Sequence, residues 1–80
     1  MLTGNMTIIH GDFYNALYEN GKLKIQAKPD YLHAETLSNI FPDAEFYGVP
    51  YELYDELVGD KDGYPDDLID FPLYVCDRYR

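Results

Sequence analysis

Tyr14-Asn15-Ala16-Leu17-Tyr18-Glu19-Asn20-Gly21-Lys22-Leu23-Lys24-Ile25-Gln26-Ala27 is the stretch on which the fold turns. Asn20-Gly21 is the preferred pair for a two-residue type I′ turn, because both central residues need positive φ. Folding the chain there places Tyr18 opposite Leu23, Ala16 opposite Ile25 and Tyr14 opposite Ala27 on one face. Glu19 then meets Lys22, Leu17 meets Lys24 and Asn15 meets Gln26 on the other. The alternation holds in both arms, as a fixed register requires. A competing reading makes 13–20 a short helix, capped by Asp12 and ended by Gly21.

Upstream, Thr7-Ile8-Ile9 reads as a further short strand, with Gly11 as a bulge or break. Downstream, a helix is expected over about 31–41, with Asp30 as N-cap and Pro42 as stop. His33, Ala34, Leu37, Ile40 and Phe41 fall on one arc at 3.6 residues per turn, and Glu35, Thr36, Ser38 and Asn39 on the other. Ala44–Val49 suits a short strand. Pro50 fits the first turn of a second helix over about 50–58, and Gly59 fits its end. One helical turn is expected at Asp66–Asp70, and Leu73–Cys76 reads as a last strand. The expected fold is a single α+β domain spanning 1–80. It has a small, mostly antiparallel sheet of three or four strands and two short helices packed on one face.

The chain has 80 residues, 46% of them hydrophobic, with nine Tyr, four Phe and no Trp. That is too apolar for disorder. Net charge is −9, and the split is uneven: −1 over residues 1–40 and −8 over 41–80. Such a field repels nucleic acid and anionic membranes and attracts basic surfaces. The lone Cys76 excludes an internal disulfide framework, and its apolar run points to a packed, inert thiol. No apolar run reaches membrane-spanning length. Met1-Leu2-Thr3-Gly4-Asn5 lacks the pattern of a secretory leader, so a cytoplasmic setting is expected.

Catalytic motifs are missing. His10 and His33 stand in no metal-ligand spacing, and no phosphate-binding Gly-rich loop, nucleophile elbow or Cys-x-x-Cys occurs. An EF-hand loop starting at Asp60 would need Gly at its sixth position and Glu at its twelfth, but Pro65 and Phe71 stand there. A non-enzymatic role without a cofactor is therefore expected.

The acidic half carries the functional reading. Glu52, Asp55 and Glu56 form one helical face, with Glu45 before it and Asp60, Asp62, Asp66 and Asp67 after it. Carboxylates four residues apart on a helix lie about 6 Å apart along its axis, on the scale of phosphate spacing. Tyr47 and Tyr64 are the expected aromatic anchors among these acids, since Tyr is enriched at binding hot spots. An ordinary solvated helix face is the competing account of the same charges.

In length, charge and its Tyr-rich acidic segment from Glu45 to Asp70, the chain resembles the small acidic inhibitors of phages and mobile elements, the anti-CRISPR and antirestriction proteins. The resemblance is one of general character and transfers no site by alignment. It implies a DNA-mimicking inhibitor that occupies a basic nucleic-acid-binding site on a host defence protein such as a CRISPR effector. The alternative is an antitoxin-like regulatory or accessory module that binds through a sheet edge and its tyrosines. Either a monomer or a homodimer paired through a hairpin edge fits.

Overall fold

The computed structural model describes residues 5–53 and 63–79. Its centre is a five-stranded sheet: β1 (Met6–His10), β2 (Asn15–Glu19), β3 (Lys22–Ala27), β4 (Glu45–Gly48) and β5 (Asp77–Arg78), in the order β3-β2-β1-β4-β5. All neighbours are antiparallel except β1 and β4, which run parallel. One α-helix, α1 (Ala34–Ile40), joins β3 to β4, and residues 51–53 are helical as well. The fold is α+β, with one strand more than the expected maximum.

The hairpin forms where its turn chemistry puts it. Asn20 has φ 52° and Gly21 φ 81°, the positive pair of a type I′ turn. Asn20 does a second job: its side chain accepts the Asn5 N–H at 2.9 Å while its own N–H donates to Asn5 O at 2.8 Å. The turn is thus fastened to the start of β1. Tyr18 faces Leu23 and Glu19 faces Lys22, as expected. Beyond Tyr18 the register shifts by one residue at a β-bulge, so Leu17 meets Ile25, Ala16 meets Gln26 and Asn15 meets Ala27. A bulge puts two residues opposite one and lets the strand bend. Lys24, the expected partner of Leu17, is left as the extra residue.

The correction has a cause in packing. The side of β2 read as polar is buried: Leu17 is 7% exposed and Asn15 only 2%. Leu17 and Ile8 of β1 lie under Ala34 and Leu37 of α1, with Ala44 closing the cluster. On the opposite face, Ile9, Ala16, Tyr18 and Tyr47 pack beneath Tyr64 and Phe71. Leu53 packs on that second face, so the two helical segments lie on opposite sides of the sheet rather than together on one.

Helix α1 starts later than its sequence suggests. Its N-cap is His33, not Asp30, and no side chain caps it. Residues 28–32 instead form a turn closed by the Tyr31 and Leu32 N–H groups on Lys28 O, and Asn15 Nδ2 donates to Leu32 O at 2.8 Å. The helix closes with Phe41 N–H donating to Leu37 O, just before Pro42. The expected last strand at Leu73–Cys76 is also corrected. Leu73–Val75 is a 3-10 turn, and the strand follows at Asp77–Arg78. The single turn expected near Asp66–Asp70 is a 3-10 turn at Leu68–Asp70.

Candidate protein-binding surface

Residues 63–79 form a strap that crosses one face of the sheet from edge to edge. It begins beside β3. Tyr64 N–H donates to Gln26 Oε1 at 2.7 Å, Leu23 N–H donates to Asp66 O at 2.8 Å, and Leu68 N–H donates to Gly21 O at 2.8 Å. Lys22 and Asp67 form an ion pair at the same place. It ends beside β4, where Asp77 and Arg78 become β5 and Tyr79 N–H donates to Phe46 O at 2.7 Å.

Aromatic residues hold the strap down. Tyr64 Oη donates to Tyr14 O at 2.8 Å, and Tyr18 Oη donates to Pro65 O at 2.6 Å. Gly11 is needed for this closure, because a Cβ there would strike the Tyr64 hydroxyl and lie 2.8 Å from Tyr14 O. The Phe71 ring meets Tyr64 and Tyr18 edge-on, at centroid distances of 5.4 and 6.2 Å. Burial, reinforced by Asp66, pushes the Tyr18 hydroxyl pKa well up. Tyr47 is raised too, mainly by burial and then by Glu45, whose carboxylate accepts the Tyr47 hydroxyl at 3.3 Å.

The two 3-10 turns sort the strap's side chains. Leu68, Phe71, Leu73 and Cys76 pack inward. Ile69 and Tyr74 point the other way, 91% and 89% exposed, with Val75 also exposed. Asp66, Asp70 and Asp77 are exposed along the same segment. The strap therefore displays three carboxylates and large apolar side chains to solvent along its length.

The expected site residues divide. Asp66 and Asp67 lie together at the start of the strap, though Asp67 is engaged by Lys22. Glu52 is exposed on the 51–53 turn. Glu45 is exposed on β4 and faces Arg78, with Nη2 3.7 Å from its carboxylate. Asp55, Glu56, Asp60 and Asp62 lie outside the described residues. Tyr47 and Tyr64, the expected anchors, are buried at 8% and 4% exposure; Tyr64 bonds inward to Tyr14 O, while the Tyr47 hydroxyl reaches the exposed Glu45 carboxylate. Among the described residues, the aromatic rings open to solvent are Phe13, Tyr31, Tyr51, Tyr74 and Tyr79. The helical turn expected at Asp66–Asp70 and the strand expected at Leu73–Cys76 did not mark Ile69 and Tyr74 as exposed. Pro65 and Pro72 are the signal that could have revealed them, since they break the segment into turns with an i, i+3 inward spacing.

His10 and His33, distant in sequence, line one shallow groove of about 450 Å³ with Asn15 and Glu35. Among the described residues, however, no three His, Cys, Asp or Glu side chains group to hold a metal ion. Cys76 is half-buried against the core, and burial together with Asp77 raises its thiol pKa, which disfavours the reactive thiolate. No described helix is long and apolar enough to cross a membrane. No family model, curated protein or solved structure matches the chain.

Proposed function

We propose that this protein is a non-enzymatic binding module whose acidic surface occupies a basic site, of the kind that holds nucleic acid, on another protein. Uncompensated charge carries the reading. Of the four described Lys and Arg side chains, Lys22, Lys24 and Arg78 are engaged by Asp67, Glu19 and Glu45, and Lys28 is exposed with no ion pair to a described residue. Glu52, Asp66, Asp70 and Asp77 are exposed and form no ion pair with a described residue. Their field steers the chain toward a cationic groove and away from nucleic acid itself. A cytoplasmic nuclease or guide complex of a host defence system is a partner of that chemistry.

The second reading, a regulatory module, draws support from exposed Tyr31 and Tyr51. Its sheet-edge version is weakened. Residues 66–68 cover the turn end of β3, and β5 offers only two residues.

The test is competition. A labelled DNA duplex is bound to a basic DNA-binding nuclease, and the chain is titrated in while anisotropy is followed. Displacement should occur at low salt and fade as salt rises. Combined reversal of Glu52, Asp66 and Asp70 to Lys should weaken it at least tenfold. Displacement indifferent to both salt and charge reversal would sink the proposal.

A further inference from the structure

The acidic-binder reading does not explain why Ile69 and Tyr74 stand in solvent. The strap has inward places for apolar side chains and fills them with Leu68, Phe71, Leu73 and Cys76. Ile69 and Tyr74 are held outward by backbone that is itself fixed. Phe71 N–H donates to Leu68 O at 2.9 Å, Cys76 N–H to Leu73 O at 3.1 Å, and both ends of the strap bond to the sheet. Large apolar side chains displayed on a fastened segment, with acids beside them, have the make-up of a contact patch: apolar anchors within a polar rim.

We propose that the outer side of the strap is the docking face, and that its occupant is a protein surface with an apolar pocket bordered by Lys or Arg. This deepens the acidic-binder reading and rests on it. Charge complementarity selects the occupant. Asp66, Asp70 and Asp77 form no ion pair with a described residue, so the strap offers carboxylates for cations to meet. A second copy of the chain is disfavoured. A two-fold contact through this patch would set each copy's acids against the other's, between molecules of net charge −9. Ile69 and Tyr74 fill the pocket and supply residence time, while the carboxylates supply orientation and speed of encounter.

Two synthetic helical peptides with the same number of arginines test this. One has a leucine stripe, and the other has glutamine at those positions. Each is titrated into the full-length chain labelled with nitrogen-15, and amide shifts are followed. The leucine peptide should bind at least tenfold more tightly than the glutamine peptide and shift residues 66–77. Ile69→Ser and Tyr74→Ser should each weaken it fivefold or more, and Tyr31→Ser should not. Equal binding of both peptides, insensitive to Ile69→Ser and Tyr74→Ser, would overturn the apolar docking face while leaving the acidic binder standing. Binding of neither peptide would overturn both. Sedimentation that shows a dimer dissolved by Ile69→Ser would overturn the basic partner in favour of a second copy.

Discussion

Replacing Asn15 with Ala tests how the sheet, the loop after β1 and the approach to α1 are held together. Asn15 is 2% exposed. Its Oδ1 accepts the Gly11 N–H at 3.1 Å and lies 3.1 Å from His10 Nδ1, and its Nδ2 donates to Leu32 O at 2.8 Å. Ala removes all three contacts. Gly11 is buried, so its N–H is left without water or partner, at a cost of about 1–3 kcal/mol. Leu32 is half-buried and its carbonyl can reach solvent, so losing that bond costs about 0.5–1.5 kcal/mol. The expected loss is about 2–4 kcal/mol. A chain of this length has a total stability of only about 4–12 kcal/mol. Urea unfolding followed by far-UV circular dichroism should show the midpoint falling with an unchanged slope. The thermal midpoint should drop by roughly 10–30 °C. Hydrogen exchange at the Leu37 amide, which donates to His33 O at the start of α1, should quicken more than exchange in β1. A loss below about 0.5 kcal/mol, within the range of an ordinary surface substitution, would show that the Asn15 amide does not join these elements.

Gly11→Ala should cost about 1–3 kcal/mol in urea unfolding through its clash with Tyr64, and adding Tyr64→Phe should recover part of it, because the first atom struck is the hydroxyl. Phe71→Ala should cost about 3–5 kcal/mol by opening the core under the strap. Ile69→Ser, only two residues away, should stay within about 0.5 kcal/mol, and a larger loss would show that Ile69 is packed. Stability should hold on the acid side of pH 9 and fall above pH 10. Tyr18 and Tyr47 have folded pKa values above the ordinary 10.0, so the native state keeps protons that the unfolded chain gives up. For fully buried Tyr18 the slope is up to about 1.4 kcal/mol per pH unit, and Tyr18→Phe should flatten it in urea titrations at pH 8, 9.5 and 10.5.

What could be read from the sequence was local. The type I′ turn follows from Asn20 and Gly21 alone, and the pairs nearest it follow from the turn. The register beyond Tyr18 does not, because the bulge at Lys24 accompanies burial of Leu17 beneath α1, a contact between residues far apart in the chain. The start of α1 was missed for a similar reason: the Leu32 carbonyl is held by Asn15, seventeen residues upstream. Tyrosine misled in its own way. A Tyr among acids reads equally as a surface anchor or as core. Only the packing supplied by the fold decides: Tyr64 is buried beside Phe71 with its hydroxyl on Tyr14 O, and Tyr47 is buried in the same cluster. Ile69 and Tyr74 were concealed because a single helical turn and a short strand, the elements expected there, do not say which side faces the sheet until the segment is laid across it. Once the strap is fastened at Asp66, Leu68 and Asp77, the exposure of Ile69 follows from the backbone and does nothing for the stability of the core. Sequences specify folds through agreement between local and global preferences, and departures gather where a surface is used. A chain that buries Tyr18, Tyr47 and Tyr64 yet holds Ile69 and Tyr74 in water departs from that agreement on the same strap that carries Asp66, Asp70 and Asp77, which form no ion pair with a described residue.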